Sequence, residues 1–297
     1  MRLLDRLKSM FPAPRLNVQR RFALLRTAIS GSMSNFYMAR DLQTDKVVGL
    51  KILDATKTKA FEARFKGLKK PCEGEIAVQL KHPRIVATYE YGLTVDGSQY
   101  IVMEFLNGSD MNSVLVARDS CLAGQRLKFI RQAAEAVAAV HAAGFIHRDI
   151  CPRNFLMTNK ESLELKLIDF GLTVPATPMF MQPGNRTGSP NYMAPELVRR
   201  RPTDQRLDVF SFGVTAYEIL TFRLPWLRGT TGLAAMSHDQ PPVEISQYRP
   251  QIDPVLAKAI HACIEPDVNR RCPSIETFLS MIRDLASADI SDPSDKG

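Results

Sequence analysis

Residues 145–154 read Phe145-Ile146-His147-Arg148-Asp149-Ile150-Cys151-Pro152-Arg153-Asn154. Two apolar residues lead into a His–Arg pair, an acid follows, and an amide stands five residues further on. Fifteen residues past Asn154 comes Asp169-Phe170-Gly171, preceded by the strand-like run Leu163–Ile168, and Ala194-Pro195-Glu196 stands beyond it. Upstream, Gln125–Ala143 carries Leu127, Ile130, Ala134, Val137 and His141 at helical spacing, with Gly144 placed to stop the helix. An aspartate after a helix is commonly a cap or turn former. A single tripeptide therefore decides little, whereas three motifs in fixed order constrain the fold strongly.

Working outward, Phe22–Leu53 reads as strands separated by turn residues, and further strand-like runs lie near Ile85–Tyr91 and Gln99–Phe105, split by the Asp96–Gly97 turn. Between them, residues 54–81 carry Lys and Arg at a helical rhythm that His82–Pro83 stops. This predicts a small lobe of about five strands and one helix, ending near residue 104. Beyond Asn107–Gly108 the chain becomes mainly helical, with helices expected near 125–143, 190–200, 205–222, 253–264 and 274–286.

The 297 residues suffice for two modest lobes, and 45% apolar with 24% charged residues excludes wholesale disorder. Cys72, Cys121, Cys151, Cys263 and Cys272 show no paired spacing, so reduced thiols in a cytoplasmic setting are expected rather than a zinc site or disulfide framework. No apolar run approaches the roughly 18 residues of a membrane span, and the interrupted N-terminus does not read as a signal peptide. The net charge is +8, but residues 1–26 hold +6 of it, leaving a nearly neutral body. Because the basic residues do not interleave with aromatics, a nucleic-acid partner is not expected.

The three motifs resemble the protein kinase family, whose signature runs H-R-D-x-x-x-x-N, D-F-G, A-P-E with a strand lysine upstream. The resemblance covers about residues 22–286. It implies an α+β, bilobal fold: an N-lobe (22–103) with a small antiparallel sheet and one main helix, a hinge (104–108) and a larger helical C-lobe (109–286). A basic extension (1–21) would precede these lobes and a polar tail (287–297) would follow them. It also implies ATP and Mg²⁺ as cofactors. Asp149 would accept the substrate hydroxyl proton, and Asn154 and Asp169 would hold the metal, which prefers oxygen ligands. Lys51, in Val47-Val48-Gly49-Leu50-Lys51-Ile52-Leu53, would anchor ATP, with Glu73, selected by counting back from His82–Pro83, as its helix partner and Glu75 as the rival. Met103 resembles the gatekeeper and Glu104–Leu106 the hinge that binds adenine, and Leu156 joins the nucleotide-binding set.

The sequence departs from the family in two places. Where the family has G-x-G-x-x-G, this chain reads Ile29-Ser30-Gly31-Ser32-Met33-Ser34, keeping the middle glycine alone. Fewer glycines limit close backbone approach to phosphate, which predicts weaker ATP binding. Gly49 stands for the usual alanine over adenine and Phe36 for the usual valine. Either Phe36 fills the space Gly49 leaves or it has a plain core role. The second departure is Cys151, which replaces the lysine two residues after the catalytic aspartate. Arg153 matches the compensating arginine of many tyrosine kinases, and either supplies the missing cation or faces solvent. Cys151 reads as a small packing residue.

Gly188–Glu196 resembles the serine/threonine-type peptide-docking segment, with Ser189 where the family's hydroxyl meets the catalytic aspartate. Asp208 would brace the catalytic loop and Arg271 would pair with Glu196. Thr173, Thr177, Thr187 and Ser189 are possible phosphosites, Thr187 first because Arg186 adjoins it. The reading is a serine/threonine protein kinase acting on a protein substrate. The alternative is a pseudokinase scaffold, impaired by its degraded glycine loop. Residues 1–21 either dock on an acidic partner or anionic membrane surface or form a loose basic extension.

Overall fold

Alternation of apolar and polar side chains builds the first part of the molecule. The structure is a computed structural model that describes residues 15–30, 33–65, 67–159, 162–183, 187–226 and 237–286. Residues 1–14 of the basic extension, Gly31, Arg186 and the polar tail lie outside the described residues. The chain divides into two units, Met1–Lys81 with Ala87–Phe105, and His82–Val86 with Leu106–Gly297.

In the first unit a helical turn, α1 (Val18–Arg21), leads into β1 (Phe22–Ser30), β2 (Ser34–Asp41) and β3 (Lys46–Leu53). Together with β4 (Thr88–Leu93) and β5 (Gln99–Glu104), these strands form a five-stranded antiparallel sheet in the order β1-β2-β3-β5-β4. One sheet face buries Phe22, Ala39, Val48, Leu50, Tyr100 and Val102, with Leu16, Val18, Tyr37 and Ile52 packed against them. Strand side chains alternate between faces. Phe36, Gly49, Lys51 and Met103 therefore share the opposite face, in a register that sets Phe36 across from Lys51 and Gly49 across from Met103.

The described end of the basic extension, from residue 15 on, joins this sheet. The Leu16 amide donates to Leu93 O at 2.8 Å, and Val95 donates back to Leu16 O at 3.0 Å. The Arg21 guanidinium bridges Asp41 (3.1 Å) and Glu90 (2.7 Å), and the Tyr100 hydroxyl also donates to Glu90, at 2.6 Å. Burial would raise the Asp41 and Glu90 pKa values, but their bonds to Arg21 bring both below the usual range.

The stretch 54–81, read from sequence as one helix, is two. Asp54 caps α2 (Ala55–Glu62) by accepting from the Thr56 and Lys57 amides, a 3₁₀ turn follows at Ala63–Phe65, and α3 (Glu73–Ala77) starts afresh. Pro71 has no amide hydrogen to continue a helix through the gap.

The second unit contains α4 (Met111–Ala117), capped by Asp110, and α5 (Arg126–Ala142). Next come β6 (Phe145–Ile146), β7 (Phe155–Met157), β8 (Leu165–Leu167) and β9 (Val174–Pro175), with β6 pairing β9 and β7 pairing β8. The helices α6 (Pro195–Val198), α7 (Arg206–Thr221), α8 (Ile245–Tyr248), α9 (Pro254–Cys263) and α10 (Ile275–Met281) complete it. The helix expected over 190–200 is a 3₁₀ turn (Pro190–Tyr192) followed by the short α6, each opening on a proline. Almost every residue of α7 is buried, as suits a helix that is apolar all round and runs through a core. Arg131 of α5 donates to the carbonyls of Ile282 and Leu285 just past α10, at 2.6 and 2.5 Å. Among the described residues no helix is long and apolar enough to cross a membrane.

Candidate active site

The loop after β6 is held from below by Asp208, near the start of α7 and fully buried. The His147 amide donates to Asp208 Oδ2 at 2.7 Å and the Arg148 amide to Oδ1 at 2.8 Å, while His141 Nε2 lies 3.0 Å from Oδ2. His141 thus adds a third contact. From sequence it reads as one more position on the buried face of α5, and a histidine among alanines and valines is the signal that marks it.

Burial alone would raise the Asp208 pKa, but the bonds from His141 and the Arg148 amide hold it below the ordinary carboxylate value. A depressed folded-state pKa gives stability that is present above the unfolded value of about 3.9 and is lost as pH falls through the folded value. We therefore expect Asp208→Asn to lower the urea midpoint at neutral pH. The gap from wild type should narrow as pH drops below about 4, and a gap constant down to pH 2 would contradict this role.

The backbone turns sharply at Arg148 and Asp169, with φ of +70° and +64°. Non-glycine residues hold such values where their surroundings impose them. Asp149 has both carboxylate oxygens engaged: Oδ1 accepts the Ser189 amide at 2.8 Å, and Oδ2 accepts Asn154 Nδ2 at 3.0 Å. Asn154 Nδ2 also donates to the Asp149 carbonyl at 2.7 Å. Gly188 permits this approach. Its φ is +118°, and a Cβ there would lie 2.7 Å from the Arg148 carbonyl oxygen.

The Ser189 hydroxyl differs from expectation. The main-chain amide of Ser189 meets Asp149, while its hydroxyl points to Cys151 Sγ at 3.5 Å. The Cys151 thiol is buried, and burial with the nearby Asp149 charge pushes its pKa up to about 11, as suits a packing residue rather than a nucleophile. Arg153 is exposed and makes no salt bridge to a described residue.

Asp169 follows β8, and the Gly171 amide donates to its Oδ1 at 3.1 Å. The Ile168 amide donates to the Asn154 carbonyl at 2.8 Å, tying the two polar segments together. Phe170 is buried with its ring edge-on to His147, at 5.4 Å and 71°. Leu156 is half-buried on β7, and Leu106 is half-buried at the start of the unit's main segment. Thr173 is fully buried, which removes it as an accessible phosphosite in this conformation; Thr187 is half-buried, and its hydroxyl has no hydrogen-bond partner among the described residues.

The donor chemistry fits a hard cation. Asn154 gives its side-chain amide nitrogen to Asp149, and its side-chain Oδ1 accepts no hydrogen bond from a described residue, so an oxygen ligand is available beside the Asp149 carboxylate, on a segment tied through Ile168 to the one that carries Asp169. Oxygen ligands of this kind suit Mg²⁺ rather than a softer metal.

In the first unit the geometry separates the two glutamates. Lys51 Nζ lies 2.6 Å from Glu73 Oε1 with both residues buried, while Glu75 is exposed. Met103 is buried, and Glu104 pairs with Ala87: its amide donates to Ala87 O at 2.9 Å, and its Oε1 accepts the Ala87 amide at 2.6 Å. The Phe36 ring occupies the space a side chain at position 49 would take. A Cβ on Gly49 would come within 2.7 Å of Phe36 Cζ and 3.1 Å of Met103 Cγ.

Comparison with known proteins agrees with this geometry, since the protein kinase domain model matches residues 25–281. The chain belongs to the protein kinase family. Among its relatives, the serine/threonine-protein kinase pkn3 of Myxococcus xanthus is 29% identical over 260 residues, covering 84% of this chain and 47% of that protein. PrkC of Bacillus subtilis is 28% identical over 273 residues (91% and 41%). PknB of Mycolicibacterium smegmatis is 32% identical over 267 (85% and 41%). This kinase domain spans less than half the length of those three relatives. Its fold is the bilobal α+β fold of the family.

Proposed function

We propose that this chain transfers the γ-phosphate of ATP to serine or threonine hydroxyls of a protein substrate. The observation that carries the reading is the double anchoring of Asp149, whose carboxylate is oriented by Asn154 and the Ser189 amide. A base held in one orientation beside the peptide-docking segment is suited to take a hydroxyl proton. Bound Mg²⁺, for which Asn154 and Asp169 would be ligands, supplies charge neutralisation at the phosphates. Lys51, buried and aligned by Glu73, presents an ammonium to the anionic nucleotide. Met103, Glu104, Leu106 and Leu156 are proposed to bind the base. Residues 1–21 are proposed to meet an acidic surface, with Arg21 excluded because Asp41 and Glu90 already engage it.

Arg153 takes the part of the cation that Cys151 cannot play. Its exposure and lack of an ion pair among the described residues support that role. Arg153→Ala should lower kcat by about 10²–10³-fold, as loss of one preorganised charge-stabilising donor does. Adding Cys151→Lys should restore part of the rate, and unchanged turnover in Arg153→Ala would place the arginine outside the chemistry.

The reading is tested by incubating the purified chain with labelled ATP, Mg²⁺ and a basic protein, followed by phosphoamino-acid analysis. Labelled phosphoserine or phosphothreonine is expected, together with a nucleotide-dependent rise in melting temperature. The substituted glycine loop, Ile29 to Ser34, favours the alternative of a kinase-shaped scaffold. The absence of both transfer and a melting shift would overturn the kinase reading in favour of that alternative.

A further inference from the structure

The segment that follows Gly188 is held by its main chain at three points, and one of the three holds comes from a residue outside every motif. At its start the Ser189 amide donates to Asp149. At the end of the 3₁₀ turn the Tyr192 carbonyl accepts the Ser211 hydroxyl of α7 at 2.7 Å. The next carbonyl, that of Met193, lies 2.7 Å from His238 Nδ1. A carbonyl oxygen can only accept, so Nδ1 carries the hydrogen and donates. His238 is buried, and burial brings its pKa below the ordinary value, which favours the neutral ring.

Two rings fix the orientation of that imidazole. Trp226 stacks on it with centroids 4.4 Å apart and planes inclined by 28°, and Phe210 of α7 lies 5.7 Å away. Trp226 is tied in turn, its Nε1 donating to Gln240 O at 2.8 Å. The neighbouring Asp239 pairs with Arg199, so residues 238 and 239 meet the chain just before and just after α6. That ion pair is partly exposed and contributes little, which leaves the bond from buried His238 as the stronger hold. All three contacts on the segment use main-chain groups, and the side chains of Asn191 and Met193 stay half-buried. A backbone fixed in this way offers a defined surface to an incoming chain.

We propose that His238 is a positioning residue for the protein substrate: its bond to the Met193 carbonyl holds the docking segment in the shape that receives the substrate chain. The proposal rests on the protein kinase reading above. With an apolar side chain in place of His238, the Met193 carbonyl would face it without a donor. The segment would then leave this shape to recover a partner, and docking would weaken by about 5- to 100-fold. The hold acts on the segment and not on the nucleotide, so the two substrates separate its effects.

The test uses the full chain with Mg·ATP and with histone as the basic protein, and measures KM for each in wild type, His238→Leu, His238→Gln and His238→Asn. His238→Leu keeps apolar bulk against Trp226 but has no donor. His238→Gln sets an amide where Nε2 lies, whereas His238→Asn sets its NH₂ where Nδ1 lies. The first two should raise the histone KM about 5- to 100-fold with KM for Mg·ATP unchanged, and His238→Asn should keep the wild-type histone KM. A folding defect lowers the active fraction and with it the apparent kcat, but leaves KM where it was. An unchanged histone KM in His238→Leu would overturn the proposal, and so would equal rises in both KM values. If His238→Leu does not fold, the same histone KM in His238→Asn and His238→Gln would overturn it. These outcomes leave the kinase reading standing, whereas no transfer to histone by the wild type would overturn that reading and this one together.

Discussion

Asp149→Asn should abolish measurable phosphate transfer, with kcat falling about 10²–10⁴-fold as expected for loss of a general base, while Mg·ATP still raises the melting temperature. The substitution changes little volume but removes the charge and one acceptor. In the wild type both Asp149 oxygens accept, one from the Ser189 amide and one from Asn154 Nδ2. An asparagine keeps one of these bonds and turns an NH₂ toward the other donor. Rotating Asn154 does not resolve the conflict, because its Nδ2 is also bound to the Asp149 carbonyl. Some loosening of the docking segment at Ser189 should accompany the lost chemistry. Phosphorylation of a basic protein and thermal melting, run on both proteins, separate the effects. Transfer within twofold of wild type would remove Asp149 from the catalytic role.

Glu196→Ala should produce the largest loss of stability. Arg271 Nη1 and Nη2 reach Glu196 Oε1 and Oε2 at 2.7 and 2.9 Å, and both residues are buried. The guanidinium also donates to the carbonyls of Glu265 (2.9 Å) and Arg206 (2.8 Å) and lies 5.0 Å from the centroid of the Phe210 ring. Those contacts hold the cation in place when its carboxylate is gone, so the charge stays buried without its counter-ion. Breaking such a pair costs about 3–5 kcal/mol, a fall of about 6–20 °C in melting temperature for a domain of this size. Replacing both partners by apolar residues, Glu196→Leu with Arg271→Met, should cost less than either single change. Urea unfolding of the single and double variants measures this. A single-variant cost below about 1 kcal/mol, the level of an exposed pair, would show that the pair does not hold α6 to the body of its unit.

Much of the site was legible because its chemistry demands particular residue types at short separations. Asp149 and Asn154 lie within one loop, and Asp169 lies at the end of the strand that pairs with β7. Spacing from His82–Pro83 also selected Glu73 over Glu75. The less legible parts depend on direction rather than identity. Ser189 was placed beside Asp149, but nothing in the sequence distinguishes its amide from its hydroxyl, and the hydroxyl turns to the Cys151 thiol. The paired changes at 36 and 49 allowed two readings from sequence, compensation or a plain core role, and only the ring seen over the glycine separates them. The single helix expected over 54–81 failed for a local reason: a lysine-rich rhythm outweighed Gly67, which adopts a φ of +85°, and Pro71, which has no amide hydrogen to carry a helix through the gap. His141 was hidden by its own helix face, since its partner Asp208 lies 67 positions away.

The clamp of Arg21 onto Asp41 and Glu90 bears on where the chain can be shortened. The family match runs from residue 25 to residue 281, and a fragment trimmed to those limits would discard Arg21. Two neighbouring carboxylates would then face each other without their cation, Asp41 almost fully buried. The far end behaves similarly, because the carbonyls that receive Arg131 belong to Ile282 and Leu285. The bonds that close each end thus reach past both limits of the family match. A soluble fragment should keep residues 15–286, with the cuts made outside the bonds that close each end.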